Sequence, residues 1–124
     1  MPVRSLSSSV IRWPEVYEVI GAVRQWARET ATRHPEVVRI GYFGSYARGD
    51  WGVGSDIDLI IIVSGHDDPG THRFRDWQTG SLPVPADVLV YTEEEWRSMC
   101  REGYRITEGP ITWVYQCGNN DPPV

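Results

Sequence analysis

The chain reads as an α/β (α+β) domain, a small mixed β-sheet with helices packed on it. Three observations predict this. Apolar residues recur at helical spacing from Val16 to Ala27. Three short runs rich in β-branched and aromatic residues, 37–43, 56–63 and 86–92, are set between helix and turn signals. A capping-box pattern, Thr92-Glu93-Glu94-Glu95, opens a helix directly after the third run. The predicted order is helix, strand, short helix, strand, helix, strand, helix, strand, which builds one layered core.

Pro14 suits the first turn of the opening helix, since its missing N–H is unpaired there anyway. Val16, Val19, Ile20, Val23, Trp26 and Ala27 form its apolar stripe, and the helix spans 14–33. His34-Pro35 ends it, because a residue before proline is pushed out of the helical region. "VVRIGYF" (37–43) is the first strand. Gly44-Ser45 then turns the chain, and Ser45 is expected to cap a short helix through Ala47 or Arg48. Residues 49–54 are glycine-rich and read as flexible. "DIDLIIIV" (56–63) is the second strand, and its almost unbroken apolar run predicts cover on both faces. Residues 64–70 read as a loop and 71–80 as a short helix. "ADVLVYT" (86–92) is the third strand, and Trp96, Met99 and Cys100 follow on the capped helix. "ITWVYQC" (111–117) is the last strand. A single domain is expected over 13–117, with loose ends at 1–12 and 118–124.

Bulk composition narrows the function. The 124 residues carry a net charge of -5, which disfavours broad attraction to nucleic acid or an anionic membrane. Sequence-specific nucleic-acid binding is not expected. The longest apolar stretch, 59–63, is far short of a membrane span. The start, MPVRSLSSSV, has no apolar signal region, so a cytoplasmic protein is expected. Cys100 and Cys117 have no zinc spacing and read as buried or idle reduced thiols.

The chemistry concentrates in "GSYARGDWGVGSDIDLIII" (44–62). Strand side chains alternate faces, so Asp56 and Asp58 project together while Ile57 and Leu59 point the other way. Two ionised carboxylates so close repel unless a cation lies between them. A hard ion such as Mg²⁺ takes oxygen ligands and keeps room for waters and substrate phosphates. Taken alone, the pair reads equally well as two exposed acids at a strand end, or with Asp56 capping the turn. The neighbours favour the metal. Gly44-Ser45 offers backbone N–H groups and a hydroxyl to a phosphate, and Arg48 stands one turn further on. Gly44 to Gly49 also has the glycine spacing of a P-loop, but Asp50-Trp51 follow in place of Lys-Ser or Lys-Thr, which excludes that motif.

"GSYARG" and "SDIDL" resemble the signature of the nucleotidyltransferase superfamily typified by DNA polymerase beta, and most of all its minimal nucleotidyltransferase (MNT) family. The motif covers about twenty residues, and the strand–helix order extends the likeness over most of the chain. The resemblance implies a polymerase-beta-like fold and a third carboxylate on a later strand. Asp87 fits, with a solvent-facing strand-end aspartate as its alternative reading. It implies that Asp56, Asp58 and Asp87 are catalytic and hold two Mg²⁺ ions. Gly44, Ser45 and Arg48 would then bind the nucleotide, with ATP as donor. MNT proteins are often encoded beside a HEPN toxin and adenylylate it. The resemblance therefore points to an antitoxin whose partner is a HEPN-type protein and whose acceptor is a protein hydroxyl. Two other functions are compatible. One is a non-catalytic module that neutralises a partner by contact. The other is a nucleotidyltransferase for an aminoglycoside-like molecule, which the acidic balance would suit. A homo-oligomer stays open.

The remaining polar features have bland readings beside the sharp ones. Trp51 would stack on a base or pack on the domain's own surface. His66, Asp67 and Asp68 read as a solvated loop rather than metal ligands, and His34 and His72 as surface histidines. Trp13, Trp26, Trp77, Trp96 and Trp113 read as core and contact residues.

Overall fold

A computed structural model describes residues 16–49, 56–64 and 77–117. Helix α1 (Val16–Arg33) leads into strand β1 (Val37–Phe43), a one-turn helix α2 (Ser45–Arg48) and strand β2 (Ile57–Val63). A 3-10 turn (Thr79–Ser81) precedes strand β3 (Ala86–Thr92) and helix α3 (Glu93–Glu102). A second one-turn helix α4 (Arg105–Glu108) and strand β4 (Thr112–Gln116) complete it. The four strands form one mixed sheet in the order β3-β2-β1-β4. β1 runs antiparallel to β2 and β4, while β2 and β3 are parallel. The predicted α/β (α+β) class holds, with strands within a residue of their expected bounds.

The uninterrupted apolar run explains the place of β2. Ile57, Leu59, Ile61 and Val63 pack on one face with Val19, Val23, Trp26 and Ala27 of α1. Ile60 and Ile62 fill the other face with Trp96 of α3, and Phe43, Met99, Ile106 and Trp113 close around them. A central strand buried on both sides has no polar face to alternate with. The Trp26 indole N–H reaches across 51 residues to the Trp77 carbonyl at 2.9 Å, tying α1 to the segment before β3. Trp26, Trp77 and Trp96 are buried, in keeping with their expected core role.

The capping box is present in full. Thr92 Oγ1 accepts from the Glu95 N–H at 3.0 Å, and the Thr92 N–H donates to Glu95 Oε1 at 2.9 Å. Together they hold α3 at the end of β3. Thr92→Ala is expected to lower stability by about 1 kcal/mol, the usual loss for a missing cap. Urea melts of the two proteins check it, and equal midpoints would show that the box contributes nothing.

Several expectations need correction. The part of the 71–80 helix that is described is not α-helical: Gln78 takes a left-handed backbone conformation (φ 57°) and only a 3-10 turn follows. The N-cap of α2 is Gly44, and Ser45 is its first helical residue. His34 is no surface histidine. Its ring meets Trp77 edge-on at 5.0 Å between centroids, and Nδ1 lies 3.9 Å from Glu36 Oε2. Cys100 and Cys117 are free, as expected, and both are exposed. The helix α4 was not foreseen. Expectations for 1–15, the glycine-rich segment through Trp51, the loop with His66, Asp67, Asp68 and His72, and the tail 118–124 lie outside the described residues. No described helix is long and apolar enough to cross a membrane.

Candidate active site

The site forms where β1 ends and β2 and β3 begin. In the antiparallel pair, Phe43 stands opposite Asp58. Gly44, the next residue, is thereby carried over the Asp58 carboxylate. Its backbone (φ 74°, ψ -147°) belongs to a region open essentially to glycine. A Cβ at this position would run into Asp58 Oδ2 and lie 3.3 Å from its carboxyl carbon. Glycine is therefore required twice, by the backbone and by the neighbouring acid. The chain then winds into α2, closed by the Arg48 N–H on the Gly44 carbonyl and the Gly49 N–H on the Ser45 carbonyl, both at 2.9 Å. This turn brings Arg48 back toward the aspartates.

In the parallel pair, Asp58 stands directly opposite Asp87. Asp56 lies just before β2, where it is exposed, and Asp87 is exposed as well. Asp58 is half-buried. Its pKa is raised, first by burial and then by the negative charges of Asp87 and Asp56, while Arg48 pulls it back down. Asp58 thus feels the charges of the other two acids predicted from the sequence, and Arg48 offsets them. Relief of this repulsion by a cation is the elementary consequence.

The donor set fits Mg²⁺. All three groups are hard carboxylate oxygens, and the half-buried one is destabilised in its charged form. Among the described residues no three acidic, histidine or cysteine side chains close into a ready-made metal cage. Mg²⁺ seldom uses one: it takes one or two carboxylates and completes its shell with water and substrate phosphate.

Asp58 opens into a cleft of about 530 Å³, a size that suits a small organic ligand. Gly44 and Arg48 line it together with Asp58. Leu89, Tyr91, Ile106 and Pro110 supply an apolar wall, and Arg105 stands with them. Ser45, Asp56 and Asp87 are not among its lining residues. The structure therefore brings Gly44, Arg48 and Asp58 into one cavity, keeps Asp87 and Asp56 within electrostatic reach of Asp58, and leaves Ser45 half-buried outside its lining. A larger groove of about 640 Å³ between α3 and α4 shares Tyr91, Arg105 and Ile106 with the cleft but holds none of the aspartates.

Sequence reasoning missed the apolar wall and Arg105. A signal for part of it was present. Asp87, Leu89 and Tyr91 are spaced by two on one strand, so they share a face. Leu89 is 38% exposed there, an apolar side chain left open toward the cleft.

Comparison with known proteins agrees with this geometry. No curated protein sequence matches the chain. Among solved structures, the chain is similar to a candidate nucleotidyltransferase from Sulfolobus solfataricus, with a TM-score of 0.61 over 99% of this chain and 100% of that one. At 16% identity this likeness shows the fold. The nucleotidyltransferase domain model matches residues 23–107, which include β1, α2, β2 and β3 with every site residue named above except Pro110. More than half of the 124 residues fall in that match, and the chain belongs to the nucleotidyltransferase domain family.

Proposed function

We propose that this chain is a Mg²⁺-dependent nucleotidyltransferase that moves AMP from ATP to a hydroxyl of a protein partner, acting as an MNT antitoxin on a HEPN toxin. One observation carries the transfer chemistry: Asp58, in register with Asp87 and overhung by Gly44, faces a cleft that Arg48 also lines. The MNT assignment and the HEPN partner rest on the "GSYARG" and "SDIDL" motifs.

Transfer joins the acceptor oxygen to the α-phosphorus and breaks the bond from that phosphorus to the bridging oxygen of the β-phosphate. Pyrophosphate leaves with the electron pair, and the acceptor's proton passes to a carboxylate, a role we assign to Asp87. Asp56, Asp58 and Asp87 would hold Mg²⁺, which when bound neutralises charge on the phosphates and lowers the pKa of the attacking hydroxyl. Arg48 offers a guanidinium to the phosphate oxygens. Gly44 allows the backbone and the phosphates to approach the acid edge closely.

The test is incubation of the chain with labelled ATP, Mg²⁺ and its HEPN-type partner. Label is expected on the partner, and lost with EDTA and with Asp87→Asn. Toxin neutralisation that persists in both Asp56→Asn and Asp58→Asn, with no label transferred, would identify a contact antitoxin instead. Label transferred to an aminoglycoside and not to protein would point to a small-molecule enzyme.

A further inference from the structure

The cleft holds a second arginine that no motif contains. Arg105 is the first residue of α4, exposed, and lines the same cavity as Arg48 and Asp58. It belongs to a different element from Arg48, more than fifty residues away in sequence, and only the folded sheet brings the two to one cavity. Among the described residues its guanidinium makes no ion pair, although the chain as a whole is acidic. Arg105 has Leu89, Tyr91, Ile106 and Pro110 beside it as an apolar wall.

We propose that Arg105 is a second phosphate-binding residue, and that the cleft takes a nucleoside triphosphate with its phosphates between Arg48 and Arg105 and its base on the apolar wall. This rests on the transferase reading above. The chemistry requires such a group. A triphosphate brings about four negative charges to an edge that already carries three aspartates, and even two Mg²⁺ ions with Arg48 leave part of that charge unanswered. A guanidinium presents two parallel N–H donors to phosphate oxygens and stays charged at any working pH. The wall suits a base, because flat apolar and aromatic surface takes up a ring while a few charged groups fix its orientation. Arg105 also lines the larger groove between α3 and α4, so it stands at the junction of the two cavities.

Calorimetric titration of the full chain with ATP and Mg²⁺, and separately with adenosine, tests this. Arg105→Ala is expected to weaken ATP binding about ten- to a hundredfold, the range for loss of a charged hydrogen-bond donor, and to leave adenosine binding unchanged. Arg105→Lys is expected to recover part of the loss. Because the side chain is exposed, melting temperature is expected to stay at the wild-type value. Unchanged ATP affinity in Arg105→Ala overturns the assignment while leaving the transferase reading in place. Equal loss of ATP and adenosine assigns Arg105 to shaping the wall and overturns it too. Failure of the wild-type chain to bind ATP at all brings down the transferase reading with it.

Discussion

Asp58→Asn is expected to abolish nucleotide transfer, by about a thousandfold or more, while the ligand-free chain melts no lower than wild type. The two halves of this result come from the same fact. Asp58 is the acid that burial and two like charges press upon. Its native pKa is raised, so the folded chain binds a proton there more tightly than the unfolded chain does. Stability from this carboxyl is therefore fullest at acid pH, below its ordinary pKa. It is lost as pH rises through the raised native value. At neutral pH the ionised group opposes folding, and asparagine removes the charge at nearly constant shape. Transfer has the opposite requirement. A neutral amide cannot balance a cation, and losing one preorganised charge-stabilising group costs rates of this order. Two measurements separate function from folding. Mg²⁺ with ATP should raise the melting temperature of wild type, since a ligand that binds only the native state stabilises it by mass action. The same addition should leave Asp58→Asn where it was. Mg²⁺ binding should also weaken on acidification at a higher pH than an ordinary aspartate would require, because protons compete with the cation for this carboxylate. Transfer that persists in Asp58→Asn would remove the metal role from this residue.

Much of this site was legible in the chain itself, for reasons of period. Asp58 is separated from Ile57 and Leu59 by face, and the structure keeps that separation: the isoleucine and leucine are fully buried against α1, while the acid looks toward the cleft. The Leu59–Val63 run announced a strand covered on both sides, and β2 is one. The capping box is a local device and appeared where expected. Pairing is not local. That Asp87 stands opposite Asp58 depends on β3 lying parallel to β2 in one register, and nothing within either strand specifies the partner. The family resemblance supplied that link, and the register bears on it. Helix α4 escaped notice because its four residues, between Gly103-Tyr104 and Gly109-Pro110, are too few for a helical period to show. Arg105 escaped with it. His34 was misjudged for a related reason, since its packing against Trp77 is a contact between distant segments.

Gly44→Ala should also harm catalysis severely, by a different route. The added methyl group meets Asp58 Oδ2, and the backbone at φ 74° and ψ -147° disfavours any Cβ. Backbone strain of this kind is worth about 1–3 kcal/mol of stability. The contact adds a displacement of the carboxylate, and a misplacement of about 1 Å at a reacting centre lowers rates about a hundredfold. Gly49 provides the control. It too has positive φ (86°), at the C-terminal end of α2, but among the described residues a Cβ there meets nothing within 4 Å. Gly49→Ala should therefore destabilise the chain without disturbing Asp58. Melting temperatures and transfer rates of the two variants, taken together, separate strain from contact. Both should melt lower than wild type, yet only Gly44→Ala should lose most of its transfer rate and its stabilisation by Mg²⁺ with ATP. Equal activity losses would mean that the shape of α2, and not the close approach of Gly44 to Asp58, is what the chemistry depends on.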